Sequence, residues 1–316
     1  MKVDLKNISN KLFEIRDKGT VFNLYYTGLD SLDEIYKAVK GYPLFIGGHV
    51  HHGKSEFALE LAVSLSIHHG FKWCVYLGEA GKTEIAVIEI AQKVIGKNFF
   101  YFTESDYTYA MQFIEQYFIL LEIDDLTVTG FYEEVEKTGV FDGTLFDPFN
   151  DAKNGTSQHG GRTDIWLEED LKYIRKQSHK HNRLDIVVFH VQDIKPIKDD
   201  SGNWYSRIAL PTEWAGGQVV NRRAFTQLYV YKIPKFLKDE NGVEYGDNKT
   251  MIINQKAKPK GTGKVDKVVI NWDWKANRYY EESSGTRKYM LDKTSKQIEP
   301  KMRKLEDIIG DDKEPF

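Results

Sequence analysis

Cys74 is the only cysteine in 316 residues, which rules out a disulfide framework within the chain. It lies in the apolar run Trp73-Cys74-Val75-Tyr76-Leu77 and reads as core filler, in keeping with a reducing, cytoplasmic compartment. No apolar run approaches the roughly 18 residues that a membrane span needs. The opening Met1-Lys2-Val3-Asp4 does not begin a signal peptide. An excess of one charge is also missing: 44 Lys and Arg against 47 Asp and Glu leave a net charge of −3. That balance excludes a basic coat for nucleic acid, though not a few Lys and Arg turned into a groove or ring. Internal repeats are absent. Metal-ligand spacing is absent as well. Five of the nine histidines (His49, His51, His52, His68 and His69) fall close together, but no Cys or carboxylate follows at ligand spacing.

What is present starts with Gly48-His49-Val50-His51-His52-Gly53-Lys54-Ser55, which fits the phosphate-cradling pattern G-x-x-x-x-G-K-[ST] at every fixed position. Before it, Pro43-Leu44-Phe45-Ile46 reads as a buried strand running into a tight turn. After it, residues 56–65 combine good helix formers with apolar residues at helical spacing. Strand, loop and helix are the context in which backbone N–H groups and a helix N-terminus converge on phosphate oxygens. Gly48, His51, His52, Gly53, Lys54, Ser55 and Glu56 are the candidate nucleotide contacts. Lys54 would reach the β/γ-phosphates of ATP, and the Ser55 hydroxyl would hold Mg²⁺.

A composition of 41% hydrophobic and 29% charged residues allows a sizeable core, as one large α/β domain or two small ones. Leu5, Ile8, Leu12 and Ile15 give residues 3–18 the face of an amphipathic helix, which must pack on its own domain or on a neighbouring subunit. Downstream of the loop the spacing predicts a strand at 73–77, a helix at 83–95 and a short strand at 99–102. A helix at 107–121 follows, then strands at 126–129 and 143–147, a mobile loop at 151–163, a helix at 164–181 and a strand at 185–190. After a polar stretch at 192–216 come strands near 228–231, 251–253 and 268–272. This order predicts a mostly parallel sheet flanked by helices and extended by antiparallel strands at the C-terminal end. The expected organisation is an N-terminal linker helix (1–20), an ATPase domain (21–282) and a charged tail (283–316).

A nucleotide hydrolase needs an acid for Mg²⁺, a base for water and a reporter of the γ-phosphate. Asp147 ends an apolar strand, where a Walker-B acid belongs; Asp185 precedes its strand and sits at the wrong end. Glu79 directly follows the second strand, so it is either the general base facing the attacking water or a solvated loop residue. His190 closes another strand, as a γ-phosphate sensor or as a structural histidine.

The series Thr27-Gly28, Leu32-Asp33, Gly48 to Ser55, Gly78-Glu79, Leu145-Phe146-Asp147-Pro148-Phe149-Asn150, Phe189-His190 and Gly216-Gly217 resembles the helicase domain of the DnaB-like family. It is most similar to the branch of Twinkle and the phage primase-helicases. The resemblance spans about residues 20–282 and lacks the primase domain. It implies a RecA-like P-loop ATPase, assembly into a homo-oligomeric ring, expected to be a hexamer, and ATP-driven movement along single-stranded DNA in replication. By position it implies Glu79 as catalytic base, Asp147 as the magnesium-associated acid and His190 as the sensor. The stretches 151–163 and 192–216 match the two channel loops, which makes Lys153, Arg162, Lys195, Lys198 and Arg207 the candidate DNA contacts. Lys258 stands where the family places an arginine finger acting in trans, with Arg222 or Arg223 as substitutes; lysine keeps the charge and loses the bidentate fork. The helix at 3–18 takes the place of the linker that packs on the adjacent subunit. The acidic end Glu306 to Phe316 resembles tips that recruit a polymerase, a primase or a single-strand-binding protein. Phage origin follows from the same resemblance. Two other readings stand beside the helicase motor: a RecA/RadA-type recombination ATPase, and a nucleotide-gated scaffold or loader with weak hydrolysis.

Overall fold

The computed structural model describes residues 21–153 and 163–293, together with residues 8, 12, 13 and 15–17. Leu24–Lys293 form one compact unit. The described residues before it are helical at positions 8, 12, 13 and 15–17, inside the expected 3–18 helix. Residues 154–162, with Arg162 and most of the expected mobile loop, lie outside the described residues, as does the acidic end at 294–316.

Strands and helices alternate as the apolar periods require. β1 (Leu44–Gly48) and β2 (Trp73–Leu77) frame α2 (Lys54–His69), which follows the short α1 (Asp30–Ile35). Next come α3 (Thr83–Ile95), α4 (Glu104–Tyr117), β3 (Phe118–Leu120), α5 (Val128–Thr138) and β4 (Gly143–Asp147). They are followed by α6 (Thr163–His181), β5 (Leu184–His190), the two-residue strands β6 (Ile197–Lys198) and β7 (Trp204–Tyr205), and α7 (Gly217–Arg223). β8 (Thr226–Lys232), β9 (Lys249–Lys256), β10 (Asp266–Asp273), β11 (Arg278–Ser283) and β12 (Thr286–Tyr289) complete the unit. The ten-stranded sheet runs β12-β11-β10-β9-β8-β1-β5-β4-β2-β3. It is parallel from β8 to β3 and antiparallel from β8 outward to β12.

The central strands are apolar throughout because both of their faces are covered. Leu44 and Ile46 of β1, with Ile186 and Val188 of β5, pack beneath Phe57, Leu61 and Ile90 of α2 and α3. Phe45, Val187 and Phe189 point the other way, toward Phe131 and Val135 of α5 and Leu171 of α6. This period-two division, with helices on both faces, makes a doubly covered α/β core. Among the described residues, no helix is long and apolar enough to cross a membrane.

Four local expectations are corrected. Phe99–Tyr101 form a 3-10 turn rather than a strand: the Asn98 side chain accepts the Phe100 N–H, and Thr103 with Asp106 builds the capping box of α4. The helix expected at 107–121 stops at Tyr117, because Phe118–Leu120 pair with Trp73–Val75 as the sheet's edge strand. The strand expected at 126–129 is a helix start, since the Thr127 side chain accepts the Gly130 N–H at 2.9 Å and caps α5. Finally, the first part of the expected tail at 283–316 belongs to the sheet. β12 pairs with β11, Met290 and Leu291 are buried, and the Met290 carbonyl lies 3.0 Å from His68 Nε2.

The outer strands are tied to the helices by a buried charge cluster. Lys93 of α3 is fully buried and pairs with Glu56 at 2.7 Å and Glu60 at 3.3 Å, both on α2. The Tyr279 N–H donates to Glu60 at 2.7 Å, and Arg278 donates to the carbonyls of Lys93 and Val94 at 2.6 and 2.8 Å. Burial raises the Glu60 carboxyl to about 7 against the opposing pull of Lys93. Removing one partner leaves an uncompensated buried charge. Lys93→Met is therefore expected to cost about 3–5 kcal/mol, read as a drop in the urea midpoint at unchanged slope; an unshifted midpoint would refute the assignment.

Candidate active site

The ends of four adjacent strands build the site. β1 delivers two glycines that tolerate no side chain. A Cβ on Gly47 would lie 2.7 Å from the Trp214 ring, and one on Gly48 would lie 2.4 Å from the Val230 carbonyl. The loop then turns through His51 (φ 62°) and Gly53 (φ 85°), the left-handed cap from which α2 begins. This aims the first N–H groups of α2 out of the sheet, as an anion site at a helix N-terminus requires.

Lys54 is buried, and its ammonium donates to the His49 carbonyl at 3.1 Å, folded back over the curve of the loop. Burial lowers its pKa, while Glu79 and Asp147 oppose that shift. The Ser55 hydroxyl lies 3.4 Å from Glu79 Oε2. Asp147, at the end of β4, is 1% exposed, and its Oδ1 has no hydrogen-bond partner among the described residues. Burial raises this carboxyl to about 7, a hydrogen bond from Ser55 opposes the rise, and the Glu79 charge adds to it. A buried carboxylate oxygen without a donor, beside a serine hydroxyl and a second carboxylate, suits a hard divalent cation that takes oxygen ligands.

Glu79 lies in the 3-10 turn Gly78–Ala80 directly after β2. Its Oε1 is 3.2 Å from Nε2 of His190, the last residue of β5. Burial, then the nearby Lys54 charge, lowers the His190 pKa, so the neutral ring is favoured and Nε2–H donates to Glu79. The same strand end is held from below, where the His190 N–H donates to Asn150 Oδ1 at 3.1 Å.

Lys54, Ser55, Glu79, Asp147 and His190 thus meet, although they come from four separate strand ends. Other residues singled out in the sequence are placed elsewhere. The Glu56 carboxylate turns away from the loop to Lys93. His52 packs its ring on Tyr231 and accepts the Lys232 N–H at 3.3 Å, with its pKa lowered to about 4 by burial and by His49. His51 is exposed on the loop. Lys258 is exposed just past β9, beside the start of β8, where its carbonyl accepts from Thr226 at 3.0 Å. Thr226 pairs with Leu44, the end of β1 opposite the phosphate loop, so Lys258 is not in its own protomer's site. Arg222 and Arg223 close α7 at that same end, Arg223 paired with Glu168.

Of the candidate DNA contacts, Lys195 and Lys198 are exposed, and Lys153 is ion-paired with Asp125. The Arg207 guanidinium is held by both oxygens of Glu213, at 2.5 and 2.8 Å, which lowers the Glu213 carboxyl to about 2. Asn150, quoted in the sequence only as part of a motif, and Asp151 and Trp214 were given no role there. Asp151 approaches the backbone of Gly78, and Trp214 packs against Gly47 while its Nε1–H donates to Gln255 at 3.0 Å. The run Asp147-Pro148-Phe149-Asn150 carried a signal for the first of these; the tryptophan had none. Beside Gly53 a cavity of about 300 Å³ opens, lined by His52, Thr250, Trp272 and Tyr279 among others.

No protein-family model and no curated protein sequence matches the chain. Solved structures do. One, a separately solved ATPase domain, superposes over 88% of this chain and 99% of that one, at 13% identity and a TM-score of 0.67. A DnaB-like replicative helicase, solved in a study of its interactions with primase, covers 88% of this chain and 67% of that one, at 13% identity and a TM-score of 0.66. The RadB recombinase covers 79% of this chain and 97% of that one, at 17% identity and a TM-score of 0.53. The chain therefore has the RecA-like P-loop ATPase fold that DnaB-like helicase domains share.

Proposed function

We propose that the chain is an ATP-dependent DNA helicase motor that moves along single-stranded DNA as a ring. The observation that carries this reading is the convergence of Lys54, Ser55, Glu79, Asp147 and His190 at the C-terminal ends of the parallel strands. ATP would lay its β- and γ-phosphates in the curve of residues 48–53, drawing the Lys54 ammonium off the His49 carbonyl. The cavity beside Gly53, with Trp272 and Tyr279, would receive the base. Ser55 and Asp147 would hold Mg²⁺, which supplies charge neutralisation at the phosphates when bound. Glu79 takes the proton of the attacking water, and His190 holds that carboxylate in line by donating from Nε2. When the γ-phosphate leaves, the His190 contact is free to change, and β5 leads directly into the 192–216 stretch where Lys195 and Lys198 stand.

Lys258, outside its own site, would act on a neighbour's nucleotide, with Arg222 and Arg223, which close α7 just before β8, as substitutes. A ring, six-membered in this reading, would bring it there, with the N-terminal helix packed on the adjacent subunit. The C-terminal end would recruit a replication partner, and the phage assignment rests on the resemblance alone. The likeness to a recombinase supports a second reading, a strand-exchange ATPase that forms filaments.

ATPase turnover measured with and without single-stranded DNA, on particles whose subunits are counted by electron microscopy, separates these readings. Closed rings, stimulation by single strands and unwinding of a tailed duplex are expected. Robust turnover indifferent to DNA would remove the helicase reading, and open filaments would favour the recombinase.

A further inference from the structure

The stretch between β5 and α7 carries a feature that the nucleotide site does not use. β6 and β7 pair antiparallel into a small hairpin, with Lys198 directly opposite Trp204. Trp204 is 64% exposed, and the Lys198 ammonium lies 4.7 Å from the centre of its ring, on one face. An indole left in water on a short hairpin contributes nothing to the core. The tip carries Asp199 and Asp200, but Asp199 is occupied in closing the turn. Its carboxylate accepts the Asn203 backbone and side-chain amides at 2.7 and 2.9 Å.

The hairpin's root is held firmly. The Tyr231 hydroxyl donates to the Ser206 carbonyl at 2.7 Å, and Tyr205 packs edge-on against Phe236. His49 of the phosphate loop places Nε2 2.8 Å from the Arg207 carbonyl, and Arg207 is itself locked to Glu213. The exposed ring therefore stands on a support that touches the nucleotide loop directly.

A flat exposed π-face with a cation beside it is the chemistry that binds an unpaired base and its phosphate together. We propose that Trp204 is a stacking platform for a base of single-stranded DNA, with Lys198 meeting the adjoining phosphate. The assignment rests on the helicase reading above and adds a contact to bases, which backbone-tracking lysines alone do not make. The same chain supplies its own control. Trp274 is 68% exposed with Lys275 at 5.4 Å, but it lies in the turn between β10 and β11, four strands from β5 in the sheet.

The test is equilibrium binding of the full chain to a labelled oligo-dT and to an abasic oligonucleotide of equal length, at one fixed salt concentration. Trp204→Ala is expected to weaken binding to oligo-dT roughly 10- to 100-fold and to leave the abasic strand unaffected. Trp204→Phe should retain most of the affinity, and Trp274→Ala should change neither. An unchanged oligo-dT affinity in Trp204→Ala, or an equal loss on both strands, overturns the stacking assignment while leaving the helicase reading in place. Failure of the unaltered chain to bind either strand overturns both.

Discussion

Glu79→Gln is expected to lower ATP turnover by about 10²–10⁴-fold, the range that a positioned general base contributes, while nucleotide binding persists. Glutamine keeps the shape and still accepts from His190 Nε2, now 3.2 Å from Glu79 Oε1, but it cannot take a proton. Glu79 is only partly buried, so the change leaves no orphaned charge and the fold should be unaffected. The check is steady-state ATPase beside equilibrium binding of a fluorescent ATP analogue. Lost turnover with retained binding is the expected pair. Turnover within threefold of the parent would remove Glu79 as the base and make the neighbouring Asp151, whose carboxyl is raised by burial and by the Glu79 charge, the next candidate.

Asp147→Asn is expected to act in opposite directions on activity and stability. The folded chain raises this carboxyl from the ordinary 3.8 to about 7. The neutral form is thus favoured in the folded state, whereas the unfolded chain releases its proton at the ordinary value. Folding stability is therefore undiminished below about pH 4, falls as the pH rises through the interval up to about 7, and stays low above it. At about 1.4 kcal/mol per unit, that interval corresponds to a penalty on the order of 4 kcal/mol at pH 8 for metal-free protein. Asparagine carries no such penalty. Urea denaturation should show the variant more stable than the parent at pH 8, with the difference shrinking toward pH 4. Glu60 and Glu89 are also raised to about 7, so only the difference between variant and parent isolates Asp147. Turnover with Mg²⁺ should fall sharply in the same variant. A parent and variant of equal stability at pH 8 would show that the carboxylate is not held against its charge.

The two variants divide the site by physical role. Glu79 costs the fold little and, in the proposed mechanism, would take the proton. Asp147 burdens the fold and is kept where a cation would relieve it. Regions that hold strain of this kind are where functional sites are found.

The phosphate loop was legible because its geometry is local: Gly53 needs a left-handed φ, Gly47 and Gly48 admit no side chain, and Lys54 and Ser55 follow at fixed offsets. Asp147 and His190 were legible as residues ending apolar strands, and Glu79 as one just past such an end, since parallel strands place their ends on one edge of the sheet. The misread elements share a cause. Phe99–Phe102 and Leu126–Thr129 have strand-like composition, yet single side-chain caps from Asn98, Thr103 and Thr127 redirected the backbone, outweighing a weak propensity. The short strand β12 escaped notice because charged residues on an outermost strand have no apolar period to show.

Sequence alone determined the nucleotide loop, the strand-and-helix order and the acid at the end of β4, because each depends on residue types a few positions apart. Tertiary structure alone decided which charges are free. Lys93 claims Glu56, and Trp214 fills the space beside Gly47, both across separations of sequence that no local pattern records. It also decided that Lys258 lies far from the phosphate loop of its own chain, because the antiparallel return of β9 carries it to the opposite end of β1. Charge and shape are matched in space, and only the folded chain brings those partners within reach.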